Sequence, residues 1–268
     1  MLTIVPTPIG NIGDMTYRAV EVLKGSDLIL AEDTRTSMPL LRHYDIRTPL
    51  LSYHKFNERE RIERILGDLA EGKKIALISD AGMPLVSDPG ETLVTAVYEA
   101  GYEIEVLPGA SASIVALVRS GFGGGPFYFH GFLSRGSGGE DELMRVAAHT
   151  ETVILYESPK RMKKTVAKLA EKTPERQAAV LRELTKKFEE RIAGTLEELA
   201  ATLPDELRGE TVLVLAPFET KADAKAMLYG LLEDGMRSKD AIRAVAEATG
   251  EGKNKLYDLA LAWKRDEA

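Results

Sequence analysis

Short apolar runs alternate with longer amphipathic stretches over the first 120 residues of the chain. The runs predict five strands, at residues 2–5, 27–31, 50–53, 74–79 and 103–107. The fourth run is almost continuously apolar, which is typical of a strand covered on both faces of a parallel sheet. The stretch before it predicts a helix that begins near Asn57 and stops at Gly72. This alternation of strands and helices predicts an α/β domain.

A glycine-rich segment at residues 121–126 is the clearest interruption in the chain and predicts a domain boundary. After it, four apolar runs predict a second sheet, at residues 127–130, 152–156, 178–183 and 210–216. Ser158 and Pro159 predict the start of one helix. Thr195 and Glu198 predict a capping box at the start of another.

The last part of the chain reads as helices only. Two of them, over residues 238–248 and 253–264, flank a glycine turn and resemble a helix-turn-helix. Residues 221–268 carry 9 basic and 9 acidic side chains, so we expect a helical appendage that does not read DNA. The expected organisation is an N-terminal α/β domain over 1–120, a second α/β domain over 121–220, and this appendage.

Composition narrows the class of protein. The chain has 268 residues, 44% of them hydrophobic, and neither a signal segment nor an apolar run long enough to span a membrane, so we expect a cytoplasmic protein without a membrane partner. It has no cysteine, which excludes disulfides, thiolate zinc sites and a cysteine nucleophile. The 4 histidines show no ligand spacing, so no metal is expected.

The net charge of −7 at first argues against a nucleic-acid partner, because phosphate contacts need lysine and arginine. The charge is unevenly distributed, however. Residues 157–191 hold 11 Lys or Arg against 6 Asp or Glu. This local excess permits an anionic partner on one face, although two solvated helices would give the same count.

Three loops rich in glycine, proline and small residues follow three predicted strands, at residues 6–14, 79–90 and 107–112. In open α/β sheets, ligands bind outside the carboxyl ends of the strands. The first loop matches neither the dinucleotide fingerprint nor a P-loop. Because all three loops should converge on one sheet edge, they predict a small-ligand site there.

Five motifs then occur in order along the chain: Thr7-Pro-Ile-Gly-Asn-Ile, Ala31-Glu-Asp-Thr-Arg, Ser79-Asp-Ala-Gly-Met-Pro, Tyr156-Glu-Ser and Arg182-Glu-Leu-Thr-Lys. Together they resemble a family of ribosomal RNA methyltransferases within the tetrapyrrole-methylase-like (class III) enzymes. Members of that family 2′-O-methylate a decoding-centre cytidine of 16S rRNA. The resemblance runs from about residue 2 to residue 216, and the helical tail resembles an extra C-terminal domain.

The resemblance implies two α/β domains of the tetrapyrrole methylase type with the cofactor cleft between them, plus the small helical segment. It also implies S-adenosylmethionine as methyl donor, S-adenosylhomocysteine as product, a homodimer, and the small ribosomal subunit as partner. The cofactor-binding positions carried over from the motifs are Pro8, Gly82, Met83, Val86, Ser111, Ala112, Tyr156, Leu184 and Thr211. Met83 stands where threonine is usual, and Ala110 where proline is common, so side-chain roles for these two are open.

A ribose hydroxyl is a weak acid, so a base beside it should speed methyl transfer roughly 10²–10⁴-fold. The candidates are Glu32, Asp33, His54 and Glu157, and we favour Asp33 or His54. The alternative for Glu32 and Asp33 is an ion pair with Arg35 or another arginine. For His54 the alternative is an exposed polar histidine.

Seven cations are predicted to contact RNA phosphates, although an ordinary surface charge is the favoured reading of each one taken singly: Arg35, Arg42, Lys55, Arg135, Lys160, Arg161 and Lys186. Two other functions stay open. The same fold could methylate a tetrapyrrole precursor or the diphthamide side chain of an elongation factor. A non-catalytic RNA-binding module is the second alternative.

Overall fold

The computed structural model describes residues 1–54, 57–136, 138–218, 224–249 and 251–266. The chain separates into two compact units, Met1–Pro217 and Phe218–Ala268. The first unit contains two five-stranded sheets, and the regular elements in the described residues of the second are all helices. Each unit is described separately below.

The first sheet is parallel, with strand order β3-β2-β4-β1-β5. Its strands are β1 Leu2–Ile4, β2 Leu28–Ala31, β3 Leu50–Ser52, β4 Ile75–Ile78 and β5 Ile104–Val106. All five were predicted. Side chains alternate between the two faces, so Leu30 and Leu77 pack in one core while Ile29 and Ala76 pack in the other. Burial on both faces explains the continuous apolar run at β4.

Five helices follow the strands of this sheet along the chain: α1 Tyr17–Gly25, α2 Thr34–His43, α3 Glu58–Ala70, α4 Glu91–Glu99 and α5 Ala112–Ser120. Gly72 follows α3 with a φ of +81°, as a helix stop requires. Asn57 precedes α3, but its side chain does not cap that helix. Its Oδ1 accepts from the His54 amide at 2.9 Å, and its Nδ2 donates to the Ser52 carbonyl at 3.1 Å. Asn57 therefore bonds back to residues 52 and 54 instead of capping the helix.

The second sheet is mixed, with strand order β6-β7-β10-β8-β9. Its strands are β6 Phe127–Phe132, β7 Thr152–Glu157, β8 Gln177–Arg182, β9 Glu190–Thr195 and β10 Thr211–Leu215. Strands β6 and β7 are parallel, and the other neighbours are antiparallel. Strand β9 was not predicted, because this edge strand is mostly exposed and its sequence lacks an apolar run.

The helices that follow the second sheet's strands are α6 Gly138–Ala148, α7 Met162–Ala170 and α8 Leu196–Thr202. The capping box predicted at α8 is present, with Thr195 and Glu198 bonded reciprocally. The predicted helix start at Ser158 and Pro159 is wrong. Ser158 instead accepts from the amides of Arg161 and Met162 in a turn, and α7 begins at Met162.

Helix α5 precedes the predicted boundary at residue 121 but packs on the second sheet. Ala116 and Leu117 share a buried cluster with Ile154, Ala179 and Leu181. The glycine-rich segment after α5 begins with Gly121 in the left-handed region, at φ +84°. The chain therefore reaches the second sheet one helix before the glycine-rich segment.

The second unit has three helices in its described residues, α9 Ala224–Glu233, α10 Ser238–Thr249 and α11 Lys253–Asp266. They bury their own core, which includes Leu228, Leu232, Val245 and Leu256. No helix in the described part of the chain has the length and apolar run needed to cross a membrane.

Candidate active site

The first two predicted ligand loops are joined by a short backbone ladder. The Thr7 amide donates to the Gly82 carbonyl at 2.9 Å, and the Gly82 amide donates back to Thr7 at 3.0 Å. The Thr7 hydroxyl donates to the buried Ser79 carbonyl at 3.1 Å. These bonds hold the loop after β4 against the loop after β1, at the carboxyl edge of the parallel sheet.

Gly82 is the point where all three loops meet. Its φ of +87° suits glycine, and an added Cβ would lie 3.2 Å from Ile9 in the first loop and 3.7 Å from the Ala110 carbonyl in the third. The convergence predicted from the sequence is thus present. Leu85 and Ser87, at φ 70° and 71°, are also left-handed, although neither is glycine. Such backbone strain, of order 1–3 kcal/mol per residue, is concentrated at functional loops.

The first and fifth motifs contact each other across the unit. The Asn11 amide donates to the Thr185 hydroxyl at 3.1 Å. A Cβ at Gly10 would lie 2.5 Å from Cγ of Lys186, so only glycine permits this approach. Glu183 and Thr185 are both left-handed, which turns the segment after β8 toward the first sheet's loops.

These loops enclose a cavity of about 460 Å³ that takes its lining from both sheets. The volume lies in the range of small-molecule sites. The first half of the chain contributes Ile9, Glu32, Asp80, Ala81, Gly82, Met83, Val86, Ser87, Asp88, Ser111 and Ala112. The part of the chain after the glycine-rich segment contributes Phe132, Tyr156, Glu157, Ser158, Pro159, Leu184, Gly209, Glu210, Thr211 and Val212.

Eight of the nine positions predicted to bind the cofactor line this cavity, and Pro8 does not. Pro8 lies instead in a smaller neighbouring hollow with Ser79 and Asp80. Tyr156 forms an apolar wall with Phe132, their rings 5.4 Å apart. Thr211 lies on the neighbouring strand β10, and its hydroxyl donates to the Glu157 carbonyl of β7.

Five acidic residues line the cavity, and three of them, Glu32, Asp80 and Asp88, come from the first half of the chain. Burial, and then the charge of Glu32, raises the pKa of Asp88 to about 7. Burial also raises the pKa of Glu32, with the Asp80 charge acting in the same direction. The pKa of Asp80 is raised by burial in turn, although the Asp33 amide that donates to it at 3.2 Å opposes the shift.

Asp33, favoured in sequence analysis as the base, is engaged elsewhere. Its two oxygens accept from Nε and Nη2 of Arg35 at 3.1 and 2.7 Å, and it caps α2 through the Arg35 amide. These hydrogen bonds lower the pKa of Asp33 to about 2. The ion-pair alternative therefore describes Asp33, which is outside the cavity lining.

The other two candidate bases have different surroundings. His54 is close enough to Glu32 to oppose, by its charge, the rise in the pKa of Glu32. His54 itself does not line the cavity. Glu157 is 3% exposed, and its oxygens accept from the Ser158 amide at 2.7 Å and the Thr165 hydroxyl at 2.8 Å. Arg161 lies 3.4 Å from it. These bonds give Glu157 a structural role.

The predicted RNA contacts are scattered over the first unit. Lys186 binds Glu183 and Glu210 at 2.9 and 2.7 Å, and Lys160 lies 3.7 Å from Glu206. Arg35 is paired with Asp33, and Arg42 is exposed on α2. Lys55 lies outside the described residues.

Arg135 and Arg161 are brought together in a second hollow of about 540 Å³, beside the first cavity. Lys164 and Lys168 also line it, and sequence reasoning missed both, although they fall at helical spacing from Arg161. The carboxylates of Asp80 and Asp88 were missed too. Both stand in the loop already identified as a ligand loop, which was the available signal. No group of three or more His, Asp or Glu side chains in the described ranges could hold a metal ion.

Comparison with known proteins gives two family matches. Residues 1–200 match the model of Tetrapyrrole (Corrin/Porphyrin) Methylases, and residues 219–264 match that of the RsmI C-terminal HTH domain. Ribosomal RNA small subunit methyltransferase I of Synechocystis is 42% identical to the chain and covers 99% of both sequences. The protein of that name from Neisseria meningitidis serogroup A is 41% identical, covering 98% of this chain and 94% of its own.

Solved structures of lower identity share the fold. Diphthine synthase aligns with a TM-score of 0.62 at 16% identity, over 80% of this chain and 89% of that one. Uroporphyrin-III C-methyltransferase from Thermus thermophilus, solved with S-adenosylhomocysteine, aligns with a TM-score of 0.59 at 19% identity, over 80% and 96% of the two chains.

Proposed function

The chain belongs to the ribosomal RNA small subunit methyltransferase I family of tetrapyrrole methylases, and we propose that it 2′-O-methylates a decoding-centre cytidine of 16S rRNA. As a family member it is an S-adenosylmethionine-dependent methyltransferase that acts on rRNA. The observation that carries the proposal is identity above 40% over nearly the whole chain, including the helical unit. The ribose hydroxyl and the cytidine are the parts that need direct measurement.

The cavity fits the methyl donor in size and charge. It is large enough for a nucleoside-sized ligand, and the carboxylates of Glu32, Asp80 and Asp88 suit a ligand whose sulfonium and ammonium charges outweigh its one carboxylate. Gly82, Met83 and Val86 would hold the ligand from one side, and Leu184 and Thr211 from the other. Close backbone approach at Gly82 makes main-chain contacts available, so a methionine at position 83 is compatible with binding.

Bound S-adenosylmethionine supplies a methyl group as a sulfonium, so the O–CH₃ bond forms as the S–CH₃ bond breaks and the hydroxyl releases one proton. Asp88 takes that proton in our proposal, in place of Asp33. It lines the cavity, and burial, reinforced by the charge of Glu32, raises its pKa to about 7, close to neutral pH. A proton gained at Asp88 replaces the positive charge lost from the ligand, so the charge inside the cavity does not change. His54 is retained as a second candidate.

The same carboxylates argue against the tetrapyrrole alternative. Precursors of that class carry several carboxylates of their own, which Glu32, Asp80 and Asp88 would repel at close range. A diphthamide acceptor and a non-catalytic module remain distinguishable by experiment. A module that binds only RNA would give no heat with S-adenosylmethionine in calorimetry.

A homodimer and the small subunit as substrate form part of the proposal. Val118 on α5 and Phe188 after β8 are 73% and 66% exposed, and a 2.9 Å ion pair between Arg119 and Glu189 joins their two segments. Light scattering should give twice the chain mass of 29.4 kDa. Replacing Phe188 with glutamate should shift that mass toward one chain if this apolar surface is the contact.

The decisive experiment compares small-subunit rRNA from cells with and without the gene. Mass spectrometry should find one methyl group fewer on a single cytidine in the deletion strain, at the ribose. Purified protein should restore it on small subunits and should not methylate uroporphyrinogen or an elongation factor. A methyl on the base, or on one of those two acceptors, would reject the proposal.

A further inference from the structure

A groove of about 540 Å³ lies beside the methyl-donor cavity and carries an excess of positive charge. Its lining comes from the segment after β6, from α6 and from α7. The charged residues that line it are Arg135, Glu140, Arg161, Lys164 and Lys168. We call this the basic groove.

One face of α7 forms the groove's floor. Arg161, Lys164, Thr165 and Lys168 are three or four residues apart, which places them on one side of a helix. Lys163, on the same helix, is outside the lining and reaches Asp205 at 2.8 Å. The cations of α7 are thus divided between two faces of the helix. The face that carries Lys164 and Lys168 lines the concave groove, and the face that carries Lys163 does not.

The basic groove and the cavity share a wall. Phe132 lines the cavity, and the next residue, Leu133, lines the groove. Glu157 lines the cavity, and its Oε2 lies 3.4 Å from Nη2 of Arg161 in the groove. A polymer with one residue in the cavity would therefore have its neighbouring residues at the groove.

The charges around the groove are not all available to a ligand. Lys168 is paired with Glu140, and Arg161 is held by Glu157 and by the Leu133 carbonyl at 3.4 Å. Glu142, at the groove's edge, accepts from both the amide and the hydroxyl of Ser134. Arg135 and Lys164 are exposed. Even with Glu140 counted, the lining has a net positive charge.

We infer that the basic groove binds the phosphate backbone next to the nucleotide whose hydroxyl enters the cavity. This inference rests on the proposed function, because it needs RNA as the methyl acceptor. The two hollows have opposite charge: the cavity's carboxylates repel phosphate, while the groove's cations attract it. Because phosphate is attracted to the groove and repelled from the cavity, the part of the polynucleotide that enters the cavity is the sugar.

The test measures binding of a fluorescent single-stranded oligouridylate at several salt concentrations. Arg135→Gln and Lys164→Gln should each weaken binding roughly threefold to tenfold and reduce the salt slope by about 0.7. Lys163→Gln removes the same charge from the other face of α7 and should bind like the wild type. S-adenosylmethionine affinity, measured by calorimetry, should be the same in all of these proteins.

A gain-of-affinity variant separates a ligand contact from a folding effect. Glu140→Gln removes the groove's own anion and releases Lys168, so it should tighten oligouridylate binding about threefold. The inference is overturned if the groove variants bind like Lys163→Gln, or if Glu140→Gln binds no tighter than the wild type. Methylation of small subunits by the wild type is scored separately, since its absence would reject the proposed function and not the groove.

Discussion

Asp88 is a residue at which stability and chemistry conflict. Its usual pKa of 3.8 is raised to about 7 in the folded protein, so folding keeps a proton that the unfolded chain gives up. The folded state therefore loses stability as the pH rises from about 4 through 7. We predict that Asp88→Asn is more stable than the wild type at pH 8, by about 1 kcal/mol once solvent screening is allowed for.

Thermal or urea unfolding at pH 5 and pH 8 checks this value. The difference between variant and wild type should grow with pH, because only the ionised carboxylate is unfavourable in the cavity. Asp33→Asn is the opposite control. The pKa of Asp33 is lowered to about 2 by Arg35, so its loss should destabilise the protein at both pH values. A pH-independent difference at Asp88 would contradict the prediction.

The rate of methyl transfer gives a second test of Asp88, through its dependence on pH. If Asp88 accepts the proton, methyl transfer in the wild type rises with pH through about 7, because the base must be ionised. Asp88→Asn should lower the rate roughly 10²–10⁴-fold and remove this rise. Single-turnover rates with radiolabelled donor, measured at saturating donor concentration, separate this effect from weaker binding. If Asp33→Asn keeps the wild-type pH dependence of the rate, Asp88 is supported as the base in place of Asp33. If the rise with pH is lost only in His54→Ala, Asp88 is rejected as the base.

The site residues show what a sequence can and cannot indicate. Gly82, Ser111 and Leu184 belong to ordered motifs whose spacing is visible in the chain, and the structure places them around one cavity. The roles of the carboxylates were less accessible, because a pKa depends on burial and on charges distant in sequence. Asp80 and Asp88 are far from Glu32 in the chain, and only the parallel sheet brings the three together.

At the scale of elements, α8 begins with the capping box between Thr195 and Glu198. Each side chain satisfies an amide of the first helical turn, at 3.1 and 2.9 Å. We predict that Thr195→Ala destabilises the first unit by about 1 kcal/mol, while Thr195→Ser retains most of the stability. Urea unfolding of the three proteins measures this difference. Equal midpoints for the alanine and serine variants would show that the box contributes nothing.

The elements were predicted wherever local chemistry decides them. Strands β2 and β4 are recognisable in the sequence because each is a buried apolar run, and Gly72 ends α3 because its left-handed φ suits glycine. Strand β9 was not predicted from the sequence, because its pairing with β8 is determined by tertiary context and not by its own side chains. Ser158 and Pro159 form a turn and not the first turn of a helix, and α7 begins four residues after Ser158.

At the scale of the whole molecule, each compact unit buries a core of its own. The second unit's cluster draws only on residues of α9, α10 and α11. We predict that a chain of residues 1–217 folds and unfolds cooperatively and keeps its affinity for S-adenosylmethionine, because the whole cavity lining lies within it. Calorimetric unfolding and ligand titration of the shortened chain check both points. Loss of cooperative unfolding would show that the second unit is needed for the fold of the first.

Helix α5 has a consequence for the nascent chain. The polypeptide emerges from its N-terminus, and the parallel sheet can pair once β5 is free. At that stage Ala116 and Leu117 have no partner, because β7, β8 and β10 are still to be synthesised. The growing protein therefore displays an apolar helix face for roughly as long as the second sheet takes to appear. A ribosome stalled in this interval would hold a chain whose first sheet has formed and whose α5 exposes an apolar face. Chaperones recognise exposed apolar surfaces of this kind.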